Sequence, residues 1–167
     1  MDDWRKYCPW TKALPPRQTA GLATLWALGK LKAPGTWGSV AGALFAGIFF
    51  YGMNPVSYIV MCAVLIYIAV GVCDVAEAYF GEKDPGKINF DEFAAMPLCY
   101  FGVFSYGCAR PILWLLVGFA LFRVFDILKP FGIKKIQNLS GGLGCVMDDV
   151  AAAAAACLIL NIIKIFV

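Results

Sequence analysis

The sequence predicts an all-α membrane protein, a polytopic bundle of about five short transmembrane helices in a single domain of 167 residues. Three observations predict it. Hydrophobic residues make up 61% of the chain and charged residues 15%, against roughly 45–50% and about 25% in soluble domains. The uncharged residues form runs, at 37–73, 93–109, 111–122 and 150–163, and a stretch of about 18 is enough to make a spanning helix. The acids and bases gather at the ends of these runs. A soluble protein with a large core would need polar faces around it, and these runs have none.

In chain order the predicted helices cover residues 38–53, 56–80, 92–106, 111–128 and 146–166. Asn54-Pro55 makes the first turn, because proline stops a helix and asparagine tolerates a turn. Ser105-Tyr106-Gly107 and Arg110-Pro111 make the third. Residues 18–31 are apolar but too short to span, so residues 1–32 read as a cytoplasmic or interfacial segment. Residues 1–17 carry six charges and three prolines, which is not the pattern of a secretory signal. The run Ala151–Ala156 is a surface for close helix packing.

Charge orients the bundle. With the N-terminus cytoplasmic, the inner segments are 1–37, 74–92 and 123–149, and only Arg110 and Lys164 among the cations fall outside them. That asymmetry follows the positive-inside rule. The acids, which took no part in choosing the orientation, all land on the same side. Any acid–base or metal chemistry therefore sits at one membrane face.

Composition also excludes. A net charge of +3 and no basic stripe with interleaved aromatics argue against nucleic acid. There is no histidine, so imidazole nucleophiles, bases and metal ligands are absent. The seven cysteines are an odd number without a Cys-x-x-Cys pair and read as small hydrophobic residues. No cysteine has an arginine six positions later, so cysteine-phosphatase chemistry is excluded. Asp-x-Asp is absent as well.

Three acidic groups remain. Asp91-Glu92 opens the third helix, and Asp148-Asp149 the fifth. Asp126 lies between Arg123 and Lys129 at i, i+3 spacing, which places all three on one helical stripe. The acidic pairs would also answer a helix dipole. Gathered at the edge of an apolar slab, however, repelling carboxylates call for a cation. Oxygen donors without imidazole or thiolate suit Mg²⁺, often completed by phosphate and water. Asp74 and Glu77 read as the end of the second helix. Pro34–Ser39 serves equally as a phosphate cradle, with Gly35 opening the backbone and Thr36 and Ser39 donating, or as a turn with an N-cap. Gly141–Gly144 has no Gly-Lys-Ser/Thr sequel and is not a phosphate loop.

Five motifs occur in an order that resembles the phosphatidylglycerophosphatase A family: Ala33-Pro34-Gly35-Thr36-Trp37-Gly38-Ser39, Asp84-Pro85-Gly86, Asp91-Glu92-Phe93, Phe122–Pro130 and Gly141–Asp149. The resemblance covers about residues 20–160. It implies a Mg²⁺-dependent phosphatase of a bacterial cytoplasmic (inner) membrane, hydrolysing phosphatidylglycerophosphate in phospholipid biosynthesis. It implies Asp91, Glu92, Asp126, Asp148 and Asp149 as metal ligands. Asp91, Asp149, Asp126, Arg123 and Lys129 are the implied catalytic set. Gly35, Thr36, Ser39, Arg123 and Lys129 are the implied contacts to the membrane phospholipid. The chain departs from the pattern at Ala95 and Ala153, where glycine is expected, and at Gly132, where a second proline is expected; none removes a functional group. Two other readings share some of these features. A metal-dependent CDP-lipid phosphatidyltransferase would show an Asp-Gly pair, which is absent. A small cation transporter would place carboxylates mid-span.

Overall fold

The computed structural model describes residues 6–105, 107–130 and 132–166, with Lys134 described by its backbone alone. Asp2, Asp3, Arg5, the Tyr106 of the expected turn and the Lys134 side chain lie outside the described residues. Regular structure among the described residues is all helical: α1 (Pro16–Ala23), α2 (Pro34–Phe49), α3 (Pro55–Phe80), α4 (Phe90–Cys99), α5 (Pro111–Leu128), α6 (Ile133–Ile136) and α7 (Gly142–Phe166), with 3-10 turns at Pro9–Ala13 and Leu28–Lys30.

Local chemistry sets these boundaries. A proline opens α2, α3 and α5, where its missing N–H is not needed and its φ is already helical. Asn54 caps α3 by accepting the Ser57 N–H at 3.0 Å, and Gly81 closes it at φ 67. The segment 34–39 is thus the start of α2 and not a loop before it. α4 is shorter than the expected 92–106. Pro97 lies within its last turn, and the chain leaves the helix through a left-handed Gly102 at φ 84. Carbonyls just past the helix end are met from α7: Asn161 Nδ2 donates to Phe101 O at 2.8 Å and Lys164 Nζ to Gly102 O at 2.7 Å. That is how an early helix end is tolerated in an apolar bundle.

α3, α5 and α7 are long and apolar enough to cross a membrane, with windows of mean hydropathy 2.5, 2.0 and 1.9. Their outer faces carry Val56, Val60, Ile112, Leu116, Leu158 and Ile165, all exposed. Such a belt is a liability in water and is at home against lipid tails. This is a membrane protein.

Inside, small residues bring backbones together. A Cβ at Gly38 would stand 2.4 Å from Asn89 O, and one at Gly42 2.6 Å from Phe93 O, so α2 lies directly on α4. Ala152, Ala153 and Ala156 are fully buried in the central cluster, as the alanine run predicts for close packing. α1 does not stand apart: Ala20 and Ala23 join a second cluster with Val70, Cys73 and Ala76 of α3. The starts of α2, α4 and α7 and the ends of α3 and α5 meet at one end of the bundle. That end carries the site.

Candidate active site

Asp91 and Glu92 lie in the first turn of α4. Asn89, fully buried, fixes that turn by donating its backbone N–H to Ala23 O at 3.0 Å and its side-chain amide to Pro34 O at 3.4 Å. The end of α1 and the start of α2 are thereby tied to α4. Arg123 and Asp126 come from the last turns of α5, and Lys129 is its C-cap at φ 42. Asp148 and Asp149 come from the second turn of α7, which begins close against α3: a Cβ at Gly142 would stand 2.1 Å from Val70 O.

These elements bring Asp91, Glu92 and Asp149 together, each with a carboxylate oxygen within 4.8 Å of the others'. Asp91 is the most firmly held. It accepts the Glu92 N–H at 3.0 Å and the Cys145 thiol at 2.9 Å. Arg123 Nη1 donates to Asp126 Oδ2 at 2.7 Å and to Ser39 Oγ at 3.3 Å, and stands 3.8 Å from Glu92 Oε1. Ser39 in turn donates to Gly35 O at 2.8 Å. Lys129 pairs with Asp148 Oδ2. Burial lowers the Lys129 pKa, but the Asp148 hydrogen bond and the charges of Asp148, Asp149 and Asp126 outweigh it and raise the ammonium above its ordinary value.

A cavity of about 180 Å³ opens among Asp91, Glu92, Asp126, Lys129, Asp148 and Asp149. All five expected metal ligands line it, and one of the two expected cations. Arg123 stands behind Glu92 and Asp126. Gly35 and Ser39 support Glu92 and Arg123 from α2, and Thr36 sits half-buried in the same helical turn; none of the three lines the cavity. Asp74 and Glu77 anchor loops: Asp74 Oδ1 accepts the Gly142 N–H at 3.3 Å and Glu77 Oε1 the Asp84 N–H at 2.7 Å.

Two further polar side chains on the cavity wall are Asp84 and Cys145. Asp84 has a left-handed backbone at φ 47 and accepts from Gln137. Its Asp-Pro-Gly turn is visible in sequence, but nothing in the spacing points its carboxylate inward. Cys145 sits in an apolar run and gives no signal at all.

The donor set fits a hard divalent cation. Glu92 Oε2 and Asp148 Oδ1 are buried and have no hydrogen-bond partner among the described residues, an expensive arrangement for a carboxylate unless a cation completes it. The clustered atoms are all oxygen at the Asp91–Glu92–Asp149 point, as Mg²⁺ prefers.

Carboxylates and cations thus line one pocket at one end of a bundle of apolar, membrane-spanning helices. Residues 21–164 match the family model of Phosphatidylglycerophosphatase A, and the chain belongs to that family of phosphatases. It is 38% identical over 136 residues to the Phosphatidylglycerophosphatase A of Haemophilus influenzae, covering 79% of each chain. It is 31% identical over 132 residues to that of Escherichia coli, covering 78% of this chain and 73% of the relative. A Bacteroides thetaiotaomicron protein with a provisional phosphatidylinositol-3-phosphatase name is 31% identical over 140 residues, 79% of this chain and 84% of the relative. No solved structure matches the chain.

Proposed function

We propose that the protein hydrolyses the terminal phosphate monoester of phosphatidylglycerophosphate, releasing phosphatidylglycerol and inorganic phosphate. The reading places it in phospholipid biosynthesis, with Mg²⁺ as cofactor and the site at the cytoplasmic face of a bacterial inner membrane. The observation that carries it is the convergence of Asp91, Glu92 and Asp149 within 4.8 Å in a chain of this family. Lys129 stands on the wall of the same cavity.

Asp91, Glu92 and Asp149 would hold the cation, with Asp126 and Asp148 beside them. When bound, it polarises a phosphoryl oxygen and acidifies water. The chain's own residues do the rest. Lys129 neutralises charge on the phosphoryl oxygens. Arg123 holds Asp126 and Glu92 in register. No described hydrogen bond engages the Asp149 carboxylate, so beside the oxygen it would give the cation it has a second one to take a proton from the attacking water, whereas Asp91 is held by two donors. The cavity admits a headgroup phosphate and leaves the acyl chains among the exposed apolar faces of α3, α5 and α7.

The Bacteroides relative makes phosphatidylinositol 3-phosphate the second substrate to try. The test is phosphate release from each lipid by purified protein in detergent, with and without Mg²⁺, beside Asp149→Asn. Mg²⁺-dependent release from phosphatidylglycerophosphate that the variant lacks is expected. Release from the inositide alone would replace the substrate and keep the site, and release without added metal after chelation would remove the cofactor.

A further inference from the structure

Cys145 does not sit like Cys99 and Cys157. Buried Cys99 and half-buried Cys157 donate to backbone carbonyls, Gly118 O at 3.5 Å and Phe101 O at 3.3 Å. Cys145 faces carboxylates, with Sγ 2.9 Å from Asp91 Oδ2 and 3.6 Å from Asp84 Oδ1. Behind it, fully buried on α3, is Cys73. The two sulfurs and an Asp91 oxygen all lie within 4.8 Å of one another.

We propose that Cys73, Cys145 and Asp91 form a site for a soft divalent cation, Zn²⁺ or Cd²⁺, that shares Asp91 with the carboxylate cluster. Thiolates select such ions over Mg²⁺. A tetrahedral zinc with sulfur at about 2.3 Å separates its sulfurs by about 3.8 Å, so a modest contraction closes the present triangle. Asp84, with Oδ1 3.6 Å from Cys145 Sγ, is the candidate fourth ligand. Cys145, Asp84 and Asp91 line the cavity, which supplies the way in.

Charge balance favours binding. With Asp84 as the fourth ligand, two thiols and two carboxylates carry two negative charges; two thiolates, two carboxylates and a divalent ion carry the same. The ion enters as two protons leave, and the buried cluster gains no net charge. Because Asp91 turns toward the sulfurs, a soft ion competes with the hard one for it. This site does not depend on the substrate assigned above.

The full chain in detergent, with Mg²⁺ in excess, is titrated with Cd²⁺. Sulfur-to-cadmium charge transfer is read by ultraviolet difference spectra, and bound metal by equilibrium dialysis. One Cd²⁺ per chain is expected, with a thiolate band that excess Mg²⁺ does not abolish. Cys73→Ala, and Cys73→Ser, which keeps the side-chain volume, should each weaken binding by at least about tenfold and cut the band by about half. Cys108→Ala, at the opposite end of the bundle, should change neither. A wild-type protein that binds Cd²⁺ without a thiolate band, or a band that survives in the Cys73→Ala/Cys145→Ala protein, overturns the site.

Discussion

Gly35 of α2 lies directly against Glu92 of α4: a Cβ at position 35 would stand 2.0 Å from Glu92 Oε1 and 3.5 Å from Arg123 Nη1. The missing side chain is what lets Glu92 lie beside Arg123. Gly35→Ala should therefore move Glu92 while leaving the helix intact, since alanine is a better helix former. Phosphate release is expected to fall by at least about tenfold, or about 1.4 kcal/mol of barrier, with little change in the thermal midpoint. Unaltered turnover would show that the position of Glu92 is immaterial.

Arg123 reaches Asp126, Ser39 and Glu92 from one nitrogen. A lysine carries the charge but has a single ammonium in place of the planar fork. Arg123→Lys should cost activity on the order of 10²-fold. Ser39→Ala, which removes one of the three contacts, should cost less. Steady-state rates of the two variants, compared at saturating Mg²⁺, check the ranking.

Lys129 is the described partner of Asp148, whose side chain is only 3% exposed. Lys129→Met leaves that carboxylate buried beside Asp149 and Asp91 without a cation. Stability should fall by up to about 3 kcal/mol in metal-free protein. Lys129→Arg should retain most of it. Thermal unfolding in detergent with chelator separates the two.

Gly142 starts α7 where a Cβ would meet Val70 O at 2.1 Å and Asp74 N at 2.5 Å, both backbone atoms that cannot swing away. Gly142→Ala should lower stability by about 1–3 kcal/mol through overpacking, and should shift Asp148 and Asp149 with the helix. An unchanged melting temperature would mean that α3 and α7 are not in this contact.

A ligand that binds only the folded state stabilises it, by about 2.7 kcal/mol at a hundred times its dissociation constant. Mg²⁺ should thus raise the melting temperature of the wild-type protein, and chelation should reverse the shift. Glu92→Gln, which weakens the donor set, should reduce the response. An equal response in the variant would place the ion elsewhere.

Much of the fold is legible in the chain itself. The helical membrane class follows from apolar run length, because a lipid interior demands a continuous hydrogen-bonded backbone. Position along those runs sends every described acid that was proposed as a ligand to one end of the bundle, since turning points of short spans are the only polar places available. The start of α5 at Pro111 and of α3 at Pro55 were visible because proline restricts φ whatever surrounds it. The early end of α4 was not, because it depends on Asn161 and Lys164 reaching the carbonyls just past it from a helix some sixty residues away.

Chain order alone supplies the residue types on hand, their gathering at one end of the bundle and the absence of imidazole. Tertiary structure decided their division of labour. Asp91, Glu92 and Asp149 converge while Asp126 and Asp148 are engaged by Arg123 and Lys129. Gly35 makes room for Glu92, and Cys145, apolar by its neighbours in the chain, turns toward Asp91. The reason is physical: periodicity and charge act along the chain, whereas the choice of partner rests on how closely two helices approach, and that is fixed by side chains on both.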